Sequence, residues 1–288
     1  MNLIAVLALA ALLQAQEKRP APDVKDEKYG PHERNVLDLW KAKSESPTPL
    51  VVFIHGGGFL RGDKGAVNTM LIRLCLEKGI SVASINYRFS KQAPFPAPFH
   101  DSARAIQYLR FKAGELNLDP ARFAATGSSA GAGMSLWLAF HDDLADPKSE
   151  DPVLRQSTRL KGALPLDGQT SYDPRWIREH VGGRAHEHSA LPLLYGLQPD
   201  ELESEKAIKM YEEAAPIRHL TKDDPPVFLS YTGLDKPSDR SGVGIHSEKF
   251  GEALKAEMEK LGLSCELKVG PHNVEEQVAF FVKVLKKD

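Results

Sequence analysis

The sequence predicts an α/β fold: a mostly parallel central sheet with helices on both faces and an insertion over its carboxyl edge. Two observations carry this. From Val36 onward, short apolar runs alternate with segments whose apolar residues recur at helical spacing, the pattern of strands linked by crossover helices. The run from Gly168 to Asp224, rich in Tyr, Trp, His, Pro and Glu, breaks that rhythm and is too long for a simple connection. In such folds ligands bind at the carboxyl edge, so the insertion, residues 168–224, is expected to roof the site.

The elements follow in order. Glu17 to Lys28 is polar, carries Pro20 and Pro22, and reads as a flexible leader to a domain spanning residues 29–288. Asn35 to Lys41 alternates apolar and polar residues. Leu50 to Ile54 is a continuous apolar run, as expected of a strand buried on both faces, and Ile80 to Ile85 again reads as a buried strand. Asn68 to Lys78 is a helix stopped by Gly79. Ala93 to Pro98 holds three prolines and is expected to be extended. Asp101 to Ala113 reads as a helix whose first residue serves as a cap or a hydrogen-bond partner. Then come a strand from Arg122 to Thr126, a helix from Gly131 to Phe140, and strands at Leu160–Leu166 and Pro226–Tyr231. A helix from His246 to Leu261, a strand from Ser264 to Val269 and a helix from Val274 to Lys286 complete the chain.

Composition narrows the function. The 288 residues are 42% apolar and 26% charged, with a net charge of −2. That gives no electrostatic basis for binding nucleic acid or an anionic membrane surface. Leu3 to Leu13 is unbroken apolar sequence, too short to span a bilayer as a helix. With Ala15 behind it, it suits a signal peptide over residues 1–16 and a secreted or periplasmic mature chain without a membrane span. Cys75 and Cys265 sit in apolar stretches and read as buried free thiols rather than a disulfide framework. No spacing of Cys, His and carboxylates suggests a metal site.

Two motifs carry chemistry. Gly127-Ser128-Ser129-Ala130-Gly131 follows a strand and opens a helix. A serine hydroxyl is a weak nucleophile unless it is held exposed beside a base. A sharp strand-to-helix turn flanked by glycines does this, and the register selects Ser129. The second motif, His55-Gly56-Gly57-Gly58-Phe59, directly follows the strand ending at Ile54. Its glycines free the N–H groups of Gly57 and Gly58 to face a developing oxyanion. The N–H of Ala130 supplies the matching donor at the positive end of its helix. A phosphate-cradling loop would need a lysine and spacing absent here. His55 itself is read as structural.

Together with Asn86-Tyr87-Arg88, the proline-rich Ala93 to Pro98, Asp119 to Phe123 and Ala215-Pro216-Ile217, these motifs resemble the hormone-sensitive-lipase-like and bacterial feruloyl-esterase-like branch of the α/β-hydrolases. The resemblance runs from about Tyr29 to the C-terminus. It implies the α/β-hydrolase fold and a triad in the chain order Ser, Asp, His. The acid belongs in the loop after the strand ending at Tyr231, where Asp235 is favoured over Asp239. The base belongs after the strand ending at Val269, where His272 is favoured over His246. His272 would then deprotonate Ser129, with Asp235 orienting it. Trp176, His186, His188 and Tyr195 line the ester pocket or pack the insertion. The expected substrate is a small-molecule or polysaccharide-linked ester, and the chemistry needs no cofactor. A peptidase on the same fold and a catalytically weakened binding protein are the rival readings.

Overall fold

A computed structural model of the chain describes residues 18–286. The apolar run Leu3 to Leu13 and the expected cleavage point lie outside the described residues. Eight strands form one sheet: β1 (Val24–Lys28), β2 (Val36–Trp40), β3 (Thr48–Ile54), β4 (Ser81–Ile85), β5 (Leu118–Ser128), β6 (Ala163–Leu166), β7 (Val227–Tyr231) and β8 (Cys265–Val269). Their order is β1-β2-β4-β3-β5-β6-β7-β8. The β1–β2 and β2–β4 pairings are antiparallel, and those from β4 to β8 are parallel. This is the α/β-hydrolase arrangement.

Strand periodicity places the core in two layers. Leu50, Val52 and Ile54 pack on one face of the sheet with α2 (Ala97–Phe111), α4 (Ala130–Phe140) and α8 (Lys249–Lys260). Val51 and Phe53 point the other way, toward α1 (Thr69–Glu77) and α9 (Val274–Leu285). A one-turn helix α3 (Ala113–Leu116) precedes β5. The insertion contributes α5 (Pro174–His180), α6 (Ala190–Tyr195) and α7 (Glu205–Ala214). No helix of the described residues is long and apolar enough to cross a membrane.

Three local expectations are corrected. The leader is not flexible throughout: β1 pairs with β2, Pro20 accepts the Trp40 indole N–H, and the Arg19 guanidinium donates to the carbonyls of Gly65 and Val67. Its polar side chains hid an edge strand held by backbone pairing rather than by burial. The proline-rich stretch is not extended throughout: residues 95–96 form a turn, with Pro96 at φ −93°, ψ 8°, and Ala97 opens α2 with Pro98 in its first turn. Proline is tolerated there, since first-turn N–H groups have no helical acceptor. Asp101 therefore lies inside α2 and caps nothing. It accepts the Arg88 backbone N–H and forms a bidentate pair with the Arg88 guanidinium. Finally, α8 starts at Lys249, which leaves His246 on the preceding loop.

Candidate active site

The turn between β5 and α4 positions Ser129. Its backbone sits at φ 52°, ψ −121°, a region that L-residues occupy only when the surroundings enforce it. The surroundings are tight. A Cβ on Gly131 would lie 2.0 Å from the carbonyl oxygen of Ile54, and one on Gly127 would lie 2.5 Å from the same oxygen. Both glycines thus let the elbow press against the end of β3, while the Ser129 N–H donates to Leu166 on β6.

Ser129 Oγ is 2.8 Å from Nε2 of His246. Nδ1 of His246 lies 3.5 Å from Oδ2 of Asp235. The Asp235 carboxylate also accepts the backbone N–H groups of Gly244 and His246, at 2.8 and 2.9 Å. These bonds fold the loop 232–248 back over the sheet. Gly244, at φ 95°, makes the close turn: a Cβ there would lie 2.8 Å from Pro237 Cα. The insertion anchors the same loop, since Gln169 donates to the Ile245 carbonyl and Gly242 to that of Arg184.

The expected serine–histidine pairing is corrected by this geometry. His272 does follow β8, but its Nε2 is 2.9 Å from Asp167 Oδ2 and its Nδ1 is 2.8 Å from Ser230 Oγ. Both ring nitrogens are occupied away from Ser129. The place at the serine is filled by His246, because the loop after β7 is long enough to return across the carboxyl edge. Asp167 also accepts the N–H and hydroxyl of Thr232. Burial alone would raise the Asp167 carboxyl, but the bonds from His272 and Thr232 outweigh it and hold it below the usual carboxylate range. Asp239 lies apart from the serine–histidine pair, its carbonyl accepting from Arg184. Sequence reasoning missed the Asp167–His272 pair altogether. The one local sign favouring His246 is the flexible run Gly242-Val243-Gly244 ahead of it.

Gly57, Gly58 and Ala130 line a cavity of about 570 Å³ together with Ser129 and His246. Gly57 and Gly58 have φ of 110° and 61°. Among the described residues, the amides of Gly57, Gly58 and Ala130 donate to no protein acceptor. Leu60, Tyr172, His188 and Leu191 form further walls. Of the four insertion aromatics singled out in the sequence, only His188 reaches this cavity. Trp176 stacks on His180 and Phe250, Tyr195 is buried against Phe95 and Tyr211, and His186 lines a separate cavity within the insertion.

The BD-FAE family model matches residues 37–237. The chain belongs to the BD-FAE family. Among curated proteins, this BD-FAE chain is 29% identical over 208 residues to "Probable carboxylic ester hydrolase LipM" of Mycobacterium tuberculosis, covering 71% of this chain and 46% of the relative. It is 26% identical to "Esterase LipQ" of the same organism, covering 83% and 54%. The chain thus spans about half the length of the curated relatives it matches. Among solved structures, a "Truncated form of carbohydrate esterase from gut microbiota" superposes with a TM-score of 0.75 at 20% identity, covering 94% of this chain and all of the other. Esterase 2 of Thermogutta terrifontis, with propionate bound, superposes at 0.69 and 18%, covering 93% and 97%.

Two further histidines of the BD-FAE chain have distinct surroundings. His55 is fully buried and stacked on Tyr87 at 4.3 Å. Burial pushes its pKa down to about 4, so it is neutral at pH 7 and serves the packing of the glycine loop. His188 sits in the cavity wall. Burial first, and the nearby His246 second, hold it below the usual imidazole range. Both free cysteines lie outside the site, and burial raises each thiol to about 12.

Proposed function

We propose that this chain is a serine hydrolase of carboxylic esters that works through an acyl-enzyme on Ser129. The observation that carries the reading is the 2.8 Å contact between Ser129 Oγ and His246 Nε2 at a strained strand-to-helix turn. His246 accepts the serine proton as Oγ attacks the ester carbonyl. The N–H groups of Gly57, Gly58 and Ala130 stabilise the oxyanion, a contribution of several kcal/mol per donor in comparable sites, about 3–4. Asp235 keeps the Nδ1–H tautomer of His246 directed toward it and stabilises the imidazolium. His246 then protonates the departing alkoxide and activates the water that releases the acid. No step uses a cofactor.

A small-molecule or carbohydrate-linked ester is the proposed substrate. The semi-open cavity of about 570 Å³ is within the size range of small-ligand sites. The likeness to a protein described as a carbohydrate esterase supports the polysaccharide-linked class. Export to the periplasm or exterior accords with such a substrate and rests on the apolar run Leu3 to Leu13. The test is hydrolysis of p-nitrophenyl acetate, p-nitrophenyl butyrate and acetylated xylo-oligosaccharides by the wild type and Ser129→Ala. Turnover by the wild type and its loss in the variant are expected. Equal turnover by both would overturn the reading.

A further inference from the structure

We propose that His141, Glu213 and His219 form a binding site for a divalent transition-metal ion of the zinc class, distinct from the Ser129 cavity. His141 follows the last residue of α4, Glu213 lies on α7 of the insertion, and His219 follows a short turn after α7. One donor atom from each lies within 4.8 Å of the others. The residues are 72 and 6 positions apart in sequence, which is why their spacing gives no metal signature. Only the packing of α7 across the end of α4 brings them together.

The hydrogen bonding around His141 points to a cation. Its Nδ1 is 2.9 Å from the carbonyl oxygen of Asp142, and its Nε2 is 2.9 Å from Glu213 Oε1. Both ring nitrogens therefore face oxygen acceptors, although a neutral imidazole has one N–H to give. With Nδ1–H donated to the backbone carbonyl, Nε2 of a neutral ring presents a lone pair to a carboxylate, an opposition relieved either by a second ring proton or by a metal ion shared between the two groups. A backbone carbonyl on the far nitrogen is also how ligating histidines are oriented. His219 is arranged in the complementary way: its Nε2 is 2.8 Å from the Glu213 carbonyl, leaving Nδ1 available. The two rings lie 4.6 Å apart.

Two imidazoles and one carboxylate suit zinc, copper or nickel rather than calcium or magnesium, which take oxygen ligands. A tetrahedral zinc with ligands at about 2.0–2.2 Å would use these three groups and a water. Glu213, whose side chain is half exposed, has room to draw in. Glu212 and Glu213 are set against Lys209 and Arg218 in the same surface depression, so the cationic neighbours do not go unopposed. Bound metal would fasten the insertion to the far end of the helix that begins after Ser129, about 18 Å from it at 1.5 Å per residue.

The site carries its own reporter, because the Trp137 ring is 4.1 Å from that of His141. The test uses the full chain stripped with a chelator. Titration with ZnCl2 in a calorimeter should show one ion per chain with a dissociation constant of 10 µM or tighter (~10⁻⁵ M, about 7 kcal/mol), and should raise the Tm. Copper(II) should quench Trp137 fluorescence saturably at the same stoichiometry. His141→Gln, His219→Gln and Glu213→Gln should each weaken zinc binding at least tenfold, and the double histidine variant should abolish the quench, while ester hydrolysis by each stays within twofold of wild type. Absence of saturable binding by the wild type overturns the proposal, as does binding and quenching retained in the double histidine variant.

Discussion

Replacing Asp235 by Asn isolates what the carboxylate does for His246. The two side chains are 3.5 Å apart and are 27% and 37% exposed, respectively. At that distance a carboxylate and an imidazolium attract by about 5 kcal/mol at an effective dielectric near 20, and by about 1 kcal/mol in bulk water. Partial exposure places this pair between those limits, at about 2–4 kcal/mol, which is roughly 30- to 1,000-fold in kcat. In a well-studied protease triad the same substitution costs about 10⁴, so the longer contact here predicts a smaller loss. Asn also sets an amide N–H against one of the two backbone donors, Gly244 or His246, that Asp235 now satisfies on separate oxygens. That adds a local penalty of about 1–3 kcal/mol. The assay is steady-state hydrolysis of p-nitrophenyl acetate, with thermal unfolding measured alongside. Asp239→Asn, away from the pair, should keep kcat within twofold. A folded Asp235→Asn enzyme that retains more than a third of the wild-type kcat would refute the reasoning.

Other consequences follow from burial and close approach. Because folding lowers the His55 pKa from 6.5 to about 4, its contribution is fully present above pH 6.5 and is lost as pH falls toward 4. The size is about 3 kcal/mol. Urea unfolding at pH 7.5 and pH 4.0 should show that His55→Asn narrows the stability difference by about that much, and equal differences would contradict it. Gly131→Ala would force a methyl to within 2.0 Å of the Ile54 oxygen. It should lower stability by about 1–3 kcal/mol and displace Ser129, with a fall in kcat. Gly114→Ala has nothing within 4 Å of the new methyl and should be neutral or stabilising by up to ~1 kcal/mol. Matching melting curves for Gly131→Ala and wild type would rule out the packing argument.

The parts of this chain that were legible in its sequence are those fixed by local pattern. The run Leu50 to Ile54 announces a buried parallel strand because no polar residue interrupts it, and in Ile80 to Ile85 only the small Ser81 and Ser84 do. The elbow glycines are legible because only glycine permits the approach of Gly131 to Ile54. What stayed hidden depends on contacts between distant segments. The strand Val24–Lys28 is mostly polar and exposed, so only its pairing with β2 orders it. The partner of Ser129 was misassigned by position because the order of elements favours a histidine after the last strand. What decides the matter is a loop closure made by Asp235, Gly244 and the insertion, none of which has a periodicity to read. The Asp167–His272 pair similarly joins the ends of β6 and β8, which are far apart in the chain.

The central claim, that Ser129 is the nucleophile and His246 its base, is tested most directly by fluorophosphonate labelling of three proteins, with the modified peptide mapped by mass spectrometry. The wild type should label at Ser129. His272→Gln, which removes a group engaged with Asp167 and Ser230, should label there at a rate within a few-fold of wild type. His246→Gln should label at least 100-fold more slowly, about 2.7 kcal/mol in the barrier. Rapid labelling of His246→Gln together with an inert His272→Gln would contradict the account.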